Sequence, residues 1–178
     1  MKVGIATFHW SNNYGAVMQA HALQVYLEER GHLVEILDFR PGGHAPRWKK
    51  WIGKNRRECI KKWSVLHKQR LFDSFRKQHL KLSAVSAADK IELKRFEGEY
   101  DTLIAGSDQV WNPRWLEQFD GMFDFYFLSF GRKGVKRISY AASIGHSHEH
   151  SLEEHWQKKL AERLPGINVI SVRERSSI

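Results

Sequence analysis

Cysteine is almost missing from this chain: one residue, Cys59, in 178. No disulfide can close within the sequence, and a zinc site built on several cysteines is excluded. No apolar run approaches the ~20 residues that a membrane-spanning helix needs. The opening Met1–Phe8 is too short in its apolar part for a signal peptide and carries no cleavage site. Internal repeats and low-complexity tracts are absent. Hydrophobic residues at 42% and charged residues at 28% exclude a disordered chain. The expectation is a reduced, cytoplasmic, single α/β domain over residues 1–178.

Acids are scarce in one stretch only. Thirteen Lys and Arg lie from Arg47 to Lys81, and Arg40 precedes them, against Glu58 and Asp73 alone. The net charge of +9 is therefore concentrated locally. Such an excess favours an anionic partner: nucleic acid, acidic headgroups or a phosphorylated substrate.

The apolar run Lys2–Phe8, the polar loop Asn12–Gly15, a helical pattern over Ala16–Arg30, a stop at Gly31 and a second apolar run Leu33–Phe39 spell a βαβ unit. Trp48–Leu80 reads as one or two amphipathic helices, broken near Gly53, forming a basic insert over about residues 46–82. Ser83–Ala88 reads as a loop, and Asp89–Phe96 as a short helix entered at Asp89. Tyr100–Gly106 is a buried strand. Phe123–Phe130 is a strand or an irregular packed segment. Lys136–Ala142 is a strand, and Ser151–Leu164 a helix with Ser151 as N-cap and Glu154 in the capping-box position. Ile167–Val172 is a last strand. The fold class is a Rossmann-like parallel sheet flanked by helices. The sequence stops where such a sheet starts another helix, so its end reads as the boundary of a longer enzyme's first half, or as the remnant of one.

Ligands of open parallel sheets bind outside the carboxyl ends of the strands. Four polar segments follow strands: His9–Gly15, Ser107–Asn112, Ser143–His146 and Arg173–Ser177. The first has one glycine, Gly15, and no Walker lysine, which argues against NAD and ATP. The amides of Asn12 and Asn13 suit sugar hydroxyls, and equally suit a turn. The helix entry after them presents free N–H groups to an anion. Asp108 is placed for a general base toward a sugar hydroxyl, or for an Asx-type cap. Trp111 stacks on a sugar ring or packs in the core. Arg173 grips a carboxylate or phosphate, or pairs with an acid such as Glu174. His9 shuttles a proton or is structural. His146, His148 and His150 lack the companions of a specific metal site, and no metal is expected.

Four blocks resemble the polysaccharide pyruvyl transferase family. They are Ile5–His9 leading into Asn13-Tyr14-Gly15-Ala16-Val17-Met18-Gln19-Ala20, Tyr100–Pro113 with its Gly-Ser-Asp-Gln-Val-Trp-Asn core, Ile138–Ser143, and Ile170–Glu174. They fall in family order across nearly the whole chain. The resemblance implies the N-terminal half of a GT-B-like enzyme of two Rossmann-like domains. Such an enzyme moves pyruvate from phosphoenolpyruvate onto a sugar of a bacterial surface polysaccharide as a ketal. It implies Asp108 and His9 as catalytic candidates. Asn12, Asn13, Tyr14, Gly15, Ser107, Gln109, Trp111, Asn112, Ser143 and Arg173 are the substrate-binding ones. Phosphoenolpyruvate is then the donor substrate, and no cofactor is needed. The acceptor half alone is expected to be inactive, because the donor-binding second domain has no counterpart in this sequence. If the acceptor is a lipid-diphosphate-linked saccharide, the basic insert with Trp48, Trp51 and Trp63 is expected to lie on anionic headgroups at the inner membrane face. Two alternatives stand beside this reading. One is a nucleotide-sugar glycosyltransferase half of the same architecture. The other is a nucleic-acid-binding module using the basic insert, disfavoured because the polar loops converge elsewhere, so that no nucleic acid is expected.

Overall fold

The structure, a computed structural model, describes residues 1–42, 56–98, 100–145 and 154–175, with side chains between 56 and 64 described only at Trp63. The elements in chain order are β1 (Lys2–Ala6), α1 (Tyr14–Glu28), β2 (Leu33–Phe39), α2 (Arg56–His79), β3 (Leu82–Ala87), a 3-10 turn (Ile91–Phe96), β4 (Thr102–Asp108), α3 (Pro113–Leu116), α4 (Met122–Tyr126), β5 (Lys136–Ala142) and α5 (Glu154–Arg163).

The five strands form one sheet in the order β3-β2-β1-β4-β5, with every pairing parallel. The period of two along each strand sorts apolar side chains to opposite faces. Val3, Ile5, Val34, Ile36 and Ile104 join Val17, Ala20 and Leu23 of α1 and Phe72 of α2 on one side. Ala6, Leu37, Phe39, Leu103 and Ala105 meet the aromatic layer of Trp111, Phe125, Tyr126, Phe127 and Phe130 on the other. Burial on both faces is why the strands read as nearly continuous apolar runs. The chain turns outward from β1 in both directions, through α1 to β2 and β3 and later to β4 and β5. The switch point therefore lies between β1 and β4.

Several sequence expectations hold with small shifts. α1 begins at Tyr14 rather than Ala16, because Asn13 caps it: its Oδ1 accepts the Ala16 N–H at 3.3 Å. Gly31, at φ +79°, closes the helix, its N–H donating to Glu28 O. Asp89 does open the next turn: its Oδ1 accepts the Glu92 N–H and Glu92 Oε2 accepts the Ala88 N–H, a reciprocal cap.

Three expectations need correction. Ser83–Ala88, expected as a loop, is largely the edge strand β3 beside β2. Its small residues carry little apolar signal. Where the β2–β3 register slips between Ile36 and Asp38, the Ser83 hydroxyl accepts the Asp38 N–H at 2.9 Å and donates to Val85 O. Phe123–Phe130 is neither strand nor wholly irregular: its first part lies in the short helix α4, entered from Gly121 at φ +79°. Ile167–Val172 runs parallel to β5 but makes only isolated bridges, Val169 to Ile138 and Val172 to Ala142. Side chains interrupt the ladder there, as when Arg137 N–H donates to Asn168 Oδ1 at 2.7 Å. Trp48, Trp51, Gly53, Ser151 and the histidines 146, 148 and 150 lie outside the described residues. Among those described, no helix is long and apolar enough to cross a membrane.

Candidate functional site

A cavity of about 490 Å³ opens at the carboxyl ends of β1 and β4, the switch point of the sheet. Phe8, Trp10, Ser11, Asn13 and Ala16 form its β1–α1 wall. Asp108 and Gln109 enter from β4, and Trp115, Gln118, Phe119 and Met122 close the far side from α3 and the turn before α4.

The β1–α1 loop is fastened from below. His9 is fully buried; its Nε2 donates to Asp38 Oδ1 at 3.0 Å and its Nδ1 lies 3.3 Å from Thr7 O. Arg40 Nε donates to the same Asp38 oxygen at 2.7 Å. Burial pushes the Asp38 carboxyl upward, but the hydrogen bonds and charges of His9 and Arg40 outweigh it and leave the pKa below the ordinary value. Gln19 Nε2 donates to Thr7 Oγ1 at 2.6 Å. Arg76 of α2, only 6% exposed, completes the fastening. Its Nε donates to His9 O at 2.7 Å, and its Nη2 to Trp10 O, Ser11 O and Asn12 Oδ1 at 2.8–3.0 Å. Nη1 bonds Asp73 Oδ1 at 2.7 Å. One planar guanidinium thus serves five acceptors, three of them successive carbonyls, more than the three N–H donors of a lysine ammonium can satisfy.

The β4 side is built on backbone constraints. Gly106 has φ +118°, and a Cβ there would run into the carbonyl oxygen of Tyr140 on β5. Only glycine fits. The Gly106–Ser107 peptide is cis. Asp108 Oδ1 accepts the Gln109 N–H at 2.7 Å, whereas Oδ2 has no hydrogen bond among the described residues. Gln109 Oε1 accepts from Asn112 Nδ2 at 3.0 Å and from Trp115 Nε1 at 3.4 Å. Asn112 Oδ1 caps α3 through the Arg114 N–H. Beneath the floor, burial raises the Tyr126 phenol far above its ordinary pKa; the Trp10 indole pulls the other way and the Asp108 charge adds to the rise. Tyr126 is a neutral hydroxyl at any working pH.

Asn13, Asp108 and Gln109 are the sequence candidates that line the cavity. Asn12 shapes the loop beside it, Gly15 lies in the first turn of α1, and Ser107 leads into Asp108 from β4. Tyr14 turns away: it is exposed and its ring sits 4.8 Å from that of Phe72. Trp111 is core, stacked on Phe127 at 5.1 Å with its indole N–H bonded to Tyr126 O. Ser143 is buried; its N–H donates to Asp108 O and its hydroxyl to Glu174 Oε1 at 2.7 Å. Arg173 is exposed past β5 and does not line the cavity; its N–H donates to Ala142 O. His9 lies behind the loop rather than in the cavity wall.

Sequence reasoning missed Asp38, Arg76, Trp10, Trp115, Gln118 and Phe119. Two of these left a trace. Asp38 is the acid near the carboxyl end of a strand that is apolar apart from it and Glu35, and Arg76 interrupts the apolar stripe of Phe72 and Phe75.

Five parallel strands in this order, with a polar and aromatic cavity at the switch point, make this a Rossmann-like domain with its candidate site where such sheets receive small molecules. Within that class the chain belongs to the polysaccharide pyruvyl transferase family, whose family model, described as Polysaccharide pyruvyl transferase, matches residues 13–178. No curated protein and no solved structure matches the chain.

Proposed function

We propose that this chain serves pyruvyl transfer from phosphoenolpyruvate to a saccharide of a bacterial exopolysaccharide or cell-wall polysaccharide, and that its cavity seats the acceptor sugar. The observation that carries this reading is the chemistry of the wall. Four aromatic rings, Phe8, Trp10, Trp115 and Phe119, face neutral Ser11, Asn13, Gln109 and Gln118 and a single carboxylate, Asp108; the described lining holds no Lys, Arg or His. Aromatic faces and amides suit the C–H faces and hydroxyls of a neutral sugar. Phosphoenolpyruvate carries a phosphate and a carboxylate, and the described wall, with one anion and no cation, repels it. The donor is accordingly held by cations outside this cavity, on the second domain of a GT-B-like pair.

The reaction needs a proton on the donor's methylene carbon, which leaves a cationic C2. One sugar hydroxyl attacks C2, phosphate leaves, and a second hydroxyl closes the ketal. Two hydroxyl protons are released; one balances the new methyl group and one goes to phosphate. Asp108, whose Oδ2 has no hydrogen bond among the described residues, takes a hydroxyl proton and steadies the positive carbon. His9 acts as a positioning residue, holding the loop through Asp38.

The test titrates the purified chain with neutral saccharides and, separately, with phosphoenolpyruvate. Indole fluorescence of Trp10 and Trp115 is followed, and mass spectrometry monitors ketal. Saccharide should perturb the fluorescence, with the response lost in Trp115→Ala, and no ketal should form. Saturable phosphoenolpyruvate binding displaced by saccharide, or ketal formation by this chain alone, would overturn the assignment.

A further inference from the structure

The first turns of α2 leave the body of the domain. Phe72 packs on Tyr14, Phe75 on His21, and the His79 carbonyl accepts from Gln24, so α2 from Phe72 onward runs alongside α1 in the same direction. The residues from Arg56 to about Lys68 therefore extend past the N-terminus of α1, beyond the carboxyl edge of the sheet, by roughly 20 Å at 1.5 Å per residue. Two apolar side chains described in this part are open. Val65 lies one helical repeat before Phe72, on the inward stripe, yet both it and Trp63 are more than half exposed.

An apolar groove of about 230 Å³ continues from there between the helices, lined by Tyr14, Val17, Met18, Leu71, Phe72 and Phe75. Tyr14, Met18 and Leu71 are each more than half exposed. Cations border this surface. Arg70 and Lys77 are exposed, and Lys68 Nζ sits 5.7 Å from the centroids of the Tyr14 and Phe72 rings. By sequence α2 has eight Lys and Arg against Glu58 and Asp73. Both acids cannot balance that excess, and Asp73 is already paired with buried Arg76.

We infer that the α1–α2 face, with the projecting half of α2, is a docking surface for an anionic lipid bilayer. The charge selects the occupant. A second copy would bring the same positive helix against itself, so self-association is opposed. Of the groove's six lining side chains Val17, Met18 and Leu71 are aliphatic, and of its three rings Phe72 is buried and Phe75 half-buried, so Tyr14 alone offers an open face for stacking in the groove and nucleic acid is a poorer match than acyl chains. Aliphatic and indole side chains beside Lys and Arg meet both layers of a membrane interface, apolar chains and anionic headgroups. Asn13 lines the cavity and its neighbour Tyr14 lines the groove. Docking thus brings the cavity close to the lipid surface. Resting on the proposed function, the acceptor then arrives as a saccharide carried on a lipid.

The experiment is co-sedimentation of the full chain with vesicles of phosphatidylcholine alone and of phosphatidylcholine with phosphatidylglycerol. Variants are Arg70→Glu with Lys77→Glu, and Trp63→Ser with Leu71→Ser, each checked for folding by circular dichroism. Partition should occur on phosphatidylglycerol vesicles and fall at least tenfold with the charge reversals, since each cation near such a surface contributes several-fold. It should also fall with the apolar pair, and vanish at high salt. Equal partition on both vesicle types, no partition, or full binding by both variants overturns the inference. So does a concentration-dependent dimer abolished by Leu71→Ser, or retention on single-stranded DNA without vesicle binding. Saccharide titration of the same variants separates the two proposals: unchanged cavity binding with lost partition places the effect on the docking surface alone.

Discussion

Asp108 and Asp38 are both acids at strand ends, and their surroundings give them different work. Asp108 lines the cavity with one oxygen that no described residue bonds. In an enzyme competent for ketal formation, Asp108→Asn should lower turnover by at least tenfold, within the range of general-base catalysis, with an unchanged melting curve. Asp38 is held ionised by His9 and Arg40. Its folded-state pKa lies below its unfolded value, so its stabilisation is present above about pH 4 and is lost as the pH falls through the folded value. Urea melts from neutral to acid pH should show that loss, and Asp38→Asn should flatten it while lowering stability at neutral pH. Gly106 is a third kind of site residue, fixed by its backbone. Gly106→Ala should cost about 3 kcal/mol in a urea melt, because a positive φ and a collision with the Tyr140 carbonyl coincide. The glycine was legible as part of a motif. That Trp111 and Asn112 of the same motif build the turn, instead of facing the cavity, was not, since stacking on a sugar and packing on Phe127 require the same ring.

Among the elements, the βαβ opening could be read directly, because apolar runs of strand length flank a helical period and the stop at Gly31 is local chemistry. The edge strand β3 could not. Its serines and alanines pair with β2 only through tertiary context, and a side chain replaces part of the ladder. The clamp from α2 was equally hidden. Arg76 and His9 are 67 residues apart, and nothing in either stretch names the other. The convergence of polar loops on one edge was legible because parallel strands leave no alternative. Arg76→Ala should destabilise the domain by about 2–4 kcal/mol through its unsatisfied partners. It should also accelerate amide exchange in residues 9–13, measured by mass spectrometry. Arg76→Lys should recover little of either, for want of the fork.

At the scale of the molecule, the described exposed cations of α2, Lys68, Arg70 and Lys77, are not part of the candidate cavity. The described cavity wall is neutral apart from Asp108. A ligand of the cavity should therefore bind with little dependence on salt. A saccharide at a hundredfold excess over its dissociation constant should stabilise the fold by about 2.7 kcal/mol, seen as a rise of several degrees in melting temperature. Phosphoenolpyruvate should produce no comparable rise in this chain.

The arginine that ties down the β1–α1 loop belongs to the same 24-residue helix that carries the exposed Trp63 and Val65. A helix of this length behaves as a stiff handle: whatever takes hold of its far end also restrains the carbonyls that Arg76 grips at the near one. A hold placed on the outer turns should therefore be transmitted to the rim of the cavity.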